Sequence, residues 1–279
     1  EFISLQTLKN RFMKQLKLMV LTLTLLMGTM FTSCMDSGES GPQQWAGVVK
    51  VNDRRGYVTF TDAAGTELIP TNTIPVTLNA RMAYIYCQVD EGQDLSTNPK
   101  SIKITLLADP TGIDATAITT PKVGESGDVT TNAPVGSLSF ASGYSTVAPF
   151  QFSENTIVLP VLYRVKNVTT TEDIKKELAK HTFTLVCYTD DIKSGDTILK
   201  LYLRYKVEDE PAAIAERATR TSSFKAYEIS QILREYTLKS GQAKPAKITI
   251  VAQQNEYNNK LEDTSTTEKV YEIEYKTAE

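Results

Sequence analysis

Three places in the chain carry residue types whose spacing could do chemistry. The first is Cys34, which stands directly after an apolar run, Leu18 to Phe31, and the small pair Thr32-Ser33. Behind a basic start, Lys14-Gln-Leu-Lys17, this is the layout of a secretion signal with an apolar core of roughly 7–15 residues and small residues at the cut. A cysteine at that cut would take acyl chains on its sulfur and, once freed, on its amine. The second place is the loop Asp190-Asp191-Ile-Lys-Ser-Gly195-Asp196, whose three carboxylates offer the oxygen ligands that hard cations prefer. Its spacing misses the EF-hand pattern, and a charged turn between two strands accounts for it equally. The third is His181, the single histidine. One imidazole excludes every multi-histidine metal site and leaves one acid–base group, for which no nearby serine or cysteine motif supplies a partner.

Other motifs fail on inspection. Gly143-Tyr-Ser-Thr-Val147 lacks the second glycine of a nucleophile elbow, and Gly124-Glu-Ser-Gly127 has no lysine to cradle a phosphate. No cofactor or metal motif emerges, and the expectation is a protein that is not an enzyme. Tyrosines give a different kind of candidate. On a strand, Tyr84 and Tyr86 lie opposite in parity to Ile85, Cys87 and Val89, so one set must face outward; Tyr57 and Tyr202 are further exposed-ring candidates. Tyr84 and Tyr202 are the ligand-face aromatics this pattern singles out, with a carbohydrate as the ligand that flat rings beside amides and acids would suit.

The elements that must position these groups are mostly short strands. A spanning helix wants about 20 apolar residues, and Thr22, Thr24, Gly28 and Thr29 dilute the run before Cys34. Met13 is a natural initiator, so residues 1–12 read as upstream extension, 13–33 as signal peptide and 34–44, rich in Ser, Gly, Pro and Gln, as a flexible tether. Strand patterns then run Trp45 to Val51, Gly56 to Asp62, Leu68 to Pro70, Val76 to Val89 and Ser101 to Leu107, with turn signals between. Five strands over 45–110 fit a small closed barrel. The Thr-, Gly- and Pro-bearing stretch 111–149 reads as linker or long loop. From 150 to 279 six further strand patterns suggest a β-sandwich. In one of them, Ile198 to Val207, the set Leu199, Leu201, Leu203, Tyr205 and Val207 faces a core, leaving Lys200, Tyr202, Arg204 and Lys206 outside. Glu172 to Lys180 reads as a short helix with Thr171 as N-cap and Ile174 and Leu178 as an apolar edge, and Pro211 starts another helical turn.

The fold class expected is therefore mainly β, an OB-like barrel followed by a sandwich. Hydrophobic residues at 41% and charged residues at 23% suffice for a buried core. A net charge of −3 gives no clustered basic surface, which argues against a nucleic-acid partner. With Cys34 acylated, Cys87 and Cys187 remain, each on a strand parity that points inward, and they read as buried free thiols.

Two resemblances add to this. Phe31-Thr-Ser-Cys34 resembles the relaxed lipobox of Bacteroidota lipoproteins, which implies a lipid anchor on Cys34. It implies an outer-membrane lipoprotein whose body faces the periplasm or the cell surface; Met35-Asp-Ser-Gly-Glu39 holds too few acids to choose. Trp45-Ala-Gly-Val-Val-Lys-Val51, Tyr57-Val-Thr-Phe60 and Asp62-Ala-Ala-Gly65-Thr-Glu-Leu-Ile-Pro70 look like the N-terminal domain of NigD-like lipoproteins. His181 to Leu185, Leu201 to Arg204 and Ser223 to Ser230 are similar to that family's C-terminal domain, although the chain has Leu203-Arg204-Tyr205 where Leu-Arg-His is expected. The resemblance implies a barrel followed by a sandwich and no reaction. It points to a binding or accessory role in the envelope, with a glycan or protein partner and a carbohydrate-binding surface module as the alternative. Asp196-Thr197-Ile198 is similar to the O-glycosylation motif of Bacteroides, which makes Thr197 the acceptor.

Overall fold

The computed structural model describes residues 43–54, 57–72, 78–95, 99–125, 127–142 and 145–277. The upstream extension, the signal peptide, Cys34 and the tether up to residue 42 lie outside the described residues. The chain divides into two units, the first ending at Gly112 and the second beginning at Ile113.

The first unit is the expected closed barrel. Its strands β1 (Gln44–Arg54), β2 (Tyr57–Thr61), β3 (Glu67–Pro70), β4 (Met82–Val89) and β5 (Ser101–Leu106) are ordered β1-β2-β3-β5-β4, and a β1–β4 pairing closes the ring. β1 is long enough to serve two neighbours. Gln44–Lys50 pairs with β4 while Lys50–Arg54 pairs with β2, so one strand crosses the barrel and leaves no edge between them. β3 and β5 run parallel and the other barrel pairs antiparallel, which is the OB-like arrangement. β6 (Thr111–Ile113) adds to β4. The β2–β3 turn is fixed by Asp62, whose Oδ1 accepts from the Ala64 and Thr66 amides at 2.9 and 2.8 Å, and by Gly65 at φ +87°, a left-handed conformation that suits glycine. Val49, Phe60, Leu68, Ile85, Cys87 and Ile104 fill the interior.

The second unit wraps one core in two four-stranded sheets. One sheet has the order β10-β11-β14-β7, formed by Phe150–Ser153 (β10), Thr156–Val165 (β11), Thr219–Glu228 (β14) and Ala115–Ala117 (β7). The other has the order β12-β13-β15-β16, formed by His181–Val186 (β12), Ile198–Val207 (β13), Lys247–Gln254 (β15) and Thr267–Glu274 (β16). A two-stranded ribbon joins Phe140–Ser142 (β8) to Ser145–Val147 (β9). Ile157, Leu159 and Val161 of β11 share a single core with Leu199, Leu201 and Leu203 of β13, as the alternation of both strands requires. Three helices complete the unit: α1 (Thr171–Ala179), α2 (Pro211–Ala215, with Pro211 in its first turn) and α3 (Ser230–Ser240). Among the described residues, no helix is long and apolar enough to cross a membrane.

Three sequence expectations change. The stretch 111–149, read as linker or long loop, is in large part packed into the second unit: β7 pairs in parallel with β14, Thr119 bridges to Val186, and Ala133, Val135 and Leu138 are fully buried in the second core. Gly136 approaches the Leu162 carbonyl so closely that a Cβ would stand 3.1 Å from it. Its composition resembles a loop because its hydrogen-bond partners are remote strands, which no local pattern reports. The N-cap of α1 is Thr170, whose Oγ1 accepts from the Asp173 amide at 3.1 Å, one residue before the expected Thr171. Finally, Ile174 and Leu178 are exposed; the one buried residue of α1 is Glu177.

Candidate functional site

The outer face of β13 is set by its alternation. With Leu199, Leu201, Leu203 and Tyr205 turned inward, Lys200, Tyr202 and Arg204 stand in a row on the other side. Just past the end of β12, Tyr188 brings a second ring to this row, with centroids 5.2 Å apart and planes inclined at 60°. The Arg204 guanidinium lies 5.1 Å from the Tyr202 ring and 5.7 Å from the Tyr188 ring, and the Lys200 ammonium is 5.0 Å from Tyr202. These are cation–π distances. A hydrogen-bond relay locks the group: Arg204 Nη2 donates to the Tyr188 hydroxyl at 2.8 Å, and that hydroxyl donates to Asp128 Oδ1 at 2.8 Å. Asp128 Oδ2 accepts from the Gly124 amide at 3.0 Å. The Gly124 amide, helped by the Tyr188 hydroxyl, holds the Asp128 carboxyl below the usual carboxylate range. Burial pushes the Tyr188 phenol up, so it remains a donor at neutral pH.

Two depressions open beside these rings. The first, about 500 Å³, is lined by Tyr188, Tyr202, Lys200, Asp191, Asp196 and Thr197. The second, about 410 Å³, is lined by Asp128, Thr131, Tyr188, Arg204, Gln253 and Leu261. Tyr188 forms a wall of both. The lining of the first joins two aromatic rings to carboxylate, hydroxyl and ammonium groups, a mixture suited to binding a small polar molecule with an apolar face.

The structure brings the sequence candidates Tyr202 and Thr197 into one groove, together with Asp191 and Asp196 of the acidic loop. Thr197 is exposed at the rim, where an attached sugar would fill that groove. Tyr84 belongs to the barrel, half-buried on the face of β4 away from the core, beside Tyr86 and its hydrogen bond to Gln44. Tyr188, Arg204 and Asp128 are the partners that sequence reasoning missed. Arg204 was legible as outward-facing, but Asp128 sits 60 residues from Tyr188 and lies in the stretch read as linker.

The acidic loop serves turn and helix contacts. Asp190 pairs with Lys239 of α3 at 3.0 Å, and Asp196 Oδ2 accepts from the Lys193 amide at 2.7 Å. Among the described residues no three potential ligands gather to hold a metal ion. Cys87 and Cys187 are buried and unbridged, and burial pushes each thiol up to about 12.

His181 is not at a surface edge; its side chain is 1% exposed within a network of buried charge. Nδ1 faces the Tyr205 hydroxyl at 2.6 Å and Nε2 faces Glu177 Oε1 at 3.3 Å. Because a carboxylate only accepts, Nε2 carries the proton and Nδ1 accepts from Tyr205. Arg217 closes the network, donating to both oxygens of Glu177 at 2.7 and 3.2 Å and to Asp209 at 3.1 Å. Burial lowers the His181 pKa, with Glu177 only partly offsetting it, so the ring is neutral. Burial alone would raise Glu177, but the Lys166 amide, Arg217 and His181 more than compensate and hold it low. Lys180, Lys166 and Arg217 hold Asp209 low as well.

The signs agree. An unfolded His181 takes up a proton as the pH falls through about 6.5 while the folded ring resists, so stability drops below that pH. Stability from Glu177 and Asp209 is lost at lower pH, below the ordinary carboxylate values of 4.5 and 3.8. With a single histidine in the chain, loss of stability between pH 7.5 and 5.5 belongs to His181. The urea midpoint of the second unit is expected to fall over that interval, and His181→Gln to flatten the dependence. A midpoint that rises on acidification contradicts the assignment.

No family model matches the chain, and no curated protein matches it. Among solved structures, the chain is 94% identical to a "putative lipoprotein" (BF3042) from Bacteroides fragilis NCTC 9343, with a TM-score of 0.79 over 85% of this chain and 100% of that one. A protein of unknown function DUF1344 from Bacteroides vulgatus shares the fold at 11% identity, with a TM-score of 0.52 over 84% of this chain and 92% of that one. At 94% identity across the whole of the first protein, the chain belongs to the family of that Bacteroides lipoprotein.

Proposed function

We propose that this lipoprotein is anchored in the outer membrane through acylated Cys34 and acts without catalysis, as an envelope binding component of the NigD-like kind, using the outer face of β13 as its binding surface. One observation carries the reading. Tyr188 and Tyr202 are held by Arg204 and Asp128 with their ring planes inclined at 60° in the lining of a 500 Å³ groove, a preorganised aromatic surface in a chain whose lone histidine is enclosed. Preorganisation reduces the ordering cost of binding.

Carbohydrate is the narrower reading, favoured by the rim. Asp191, Asp196, Thr197 and Thr249 offer acceptors and hydroxyls around the rings, as a sugar's hydroxyls and apolar ring face require. Lys200 lies against Tyr202 but is exposed, and its long side chain can swing aside for a ligand. A glycan array probed with chain whose intact mass shows Thr197 unmodified is expected to give saturable binding, lost by tenfold or more in Tyr202→Ala, on the order of the 1–3 kcal/mol of an aromatic stacking contact. A flat array would sink the carbohydrate reading.

A further inference from the structure

We propose that the groove at Tyr202 and the depression at Arg204 are two halves of one site, and that its ligand is a neutral oligosaccharide lying across Tyr188 and longer than a single sugar ring. This rests on the reading of the β13 face as a binding surface, and extends it to the class and length of the ligand.

The second depression has polar groups of its own. Asp128, Thr130, Arg204 and Gln253 line it, and Thr130 is exposed. The guanidinium is immobilised by the Tyr188 hydroxyl and the two rings, so the wall that it forms with Tyr188 needs no further ordering to meet a ligand.

Length follows from the two depressions. They measure about 500 and 410 Å³ and share Tyr188 as a wall. A single hexose does not fill both. Charge settles the class. In the first half Lys200 is opposed by Asp191 and Asp196, and in the second Arg204 is tied through Tyr188 to Asp128. With no surplus of positive charge in either half, the site favours hydroxyls over carboxylates or phosphates.

The probes are ladders of gluco-, manno- and xylo-oligosaccharides of one to five units, with oligogalacturonates of the same lengths as the acidic comparison, titrated calorimetrically against the full-length chain. At least one neutral ladder is expected to gain tenfold or more in affinity between one unit and the spanning length. Thr130→Val and, separately, Gln253→Met are expected to lower the affinity of the long member about five- to tenfold and to leave the shortest binder unchanged. Neither replaces a group that holds Tyr188 or Tyr202, and unchanged thermal midpoints show that both fold. Affinity independent of length, wild-type binding of the long member by both variants, or tighter binding of the acidic ladder overturns the two-part neutral site while leaving a groove that binds sugar. No response to any ladder overturns that underlying reading too.

Discussion

Arg217→Met is expected to destabilise the second unit by about 3–5 kcal/mol, the range seen when one partner of a buried ion pair is removed. The Arg217 side chain is 0% exposed and gives two hydrogen bonds to Glu177, whose own side chain is 5% exposed. Methionine has similar bulk but no charge, so the Glu177 carboxylate would remain buried with only His181 and the Lys166 amide to face it. The consequence reaches α1. Ile174 and Leu178 are about two-fifths exposed, and with so little apolar burial the helix is docked chiefly by Glu177. Urea unfolding of the wild type and variant gives the cost. The double variant Glu177→Leu/Arg217→Met should recover much of it, since removing both partners deletes the stranded charge. A loss below about 1 kcal/mol in the single variant would show that the network does not hold the helix.

Cys34→Ala is expected to abolish incorporation of labelled palmitate. Each buried methylene contributes about 0.8 kcal/mol, so one chain holds only weakly and two hold stably. Removing the single acceptor therefore acts as an on–off change. No other cysteine can replace it: Cys87 and Cys187 are buried, with thiols pushed up to about 12. Label that persists in the variant would refute the assignment of Cys34.

Strand parity made much of the fold legible. In β13 the inward and outward sets are those read from the sequence, and in β5 Ile104 and Leu106 enter the barrel core as their alternation with Lys103 and Thr105 requires. Non-local elements were not legible. The sequence reading assigns no element to 229–245, where α3 buries only Ile232, Tyr236 and Ser240 along one narrow stripe. In hindsight Lys239 in its last turn and Gly241 at φ +74° mark its end. At the site, Tyr202 could be found because its neighbours alternate. Tyr188 and Asp128 could not, because what joins them to it is contact with residues distant in sequence. The buried role of Glu177 was not legible for a related reason, since its counter-ion Arg217 is 40 residues away.

The pairing of β7 with β14 also bears on how the second unit comes together in time. Thr116 reaches its partner Ala226 across 110 residues, so the sheet's outermost strand is made early and completed late. Closing so long a stretch of chain costs entropy before the contact returns any stability, which slows folding. The barrel strands β1 to β5 all lie within 44–106 and need nothing later in the chain to pair. During synthesis or export one unit can therefore finish while the other still carries an open strand, and in that interval the bare edge of β7 is the segment most in need of protection from wrong partners.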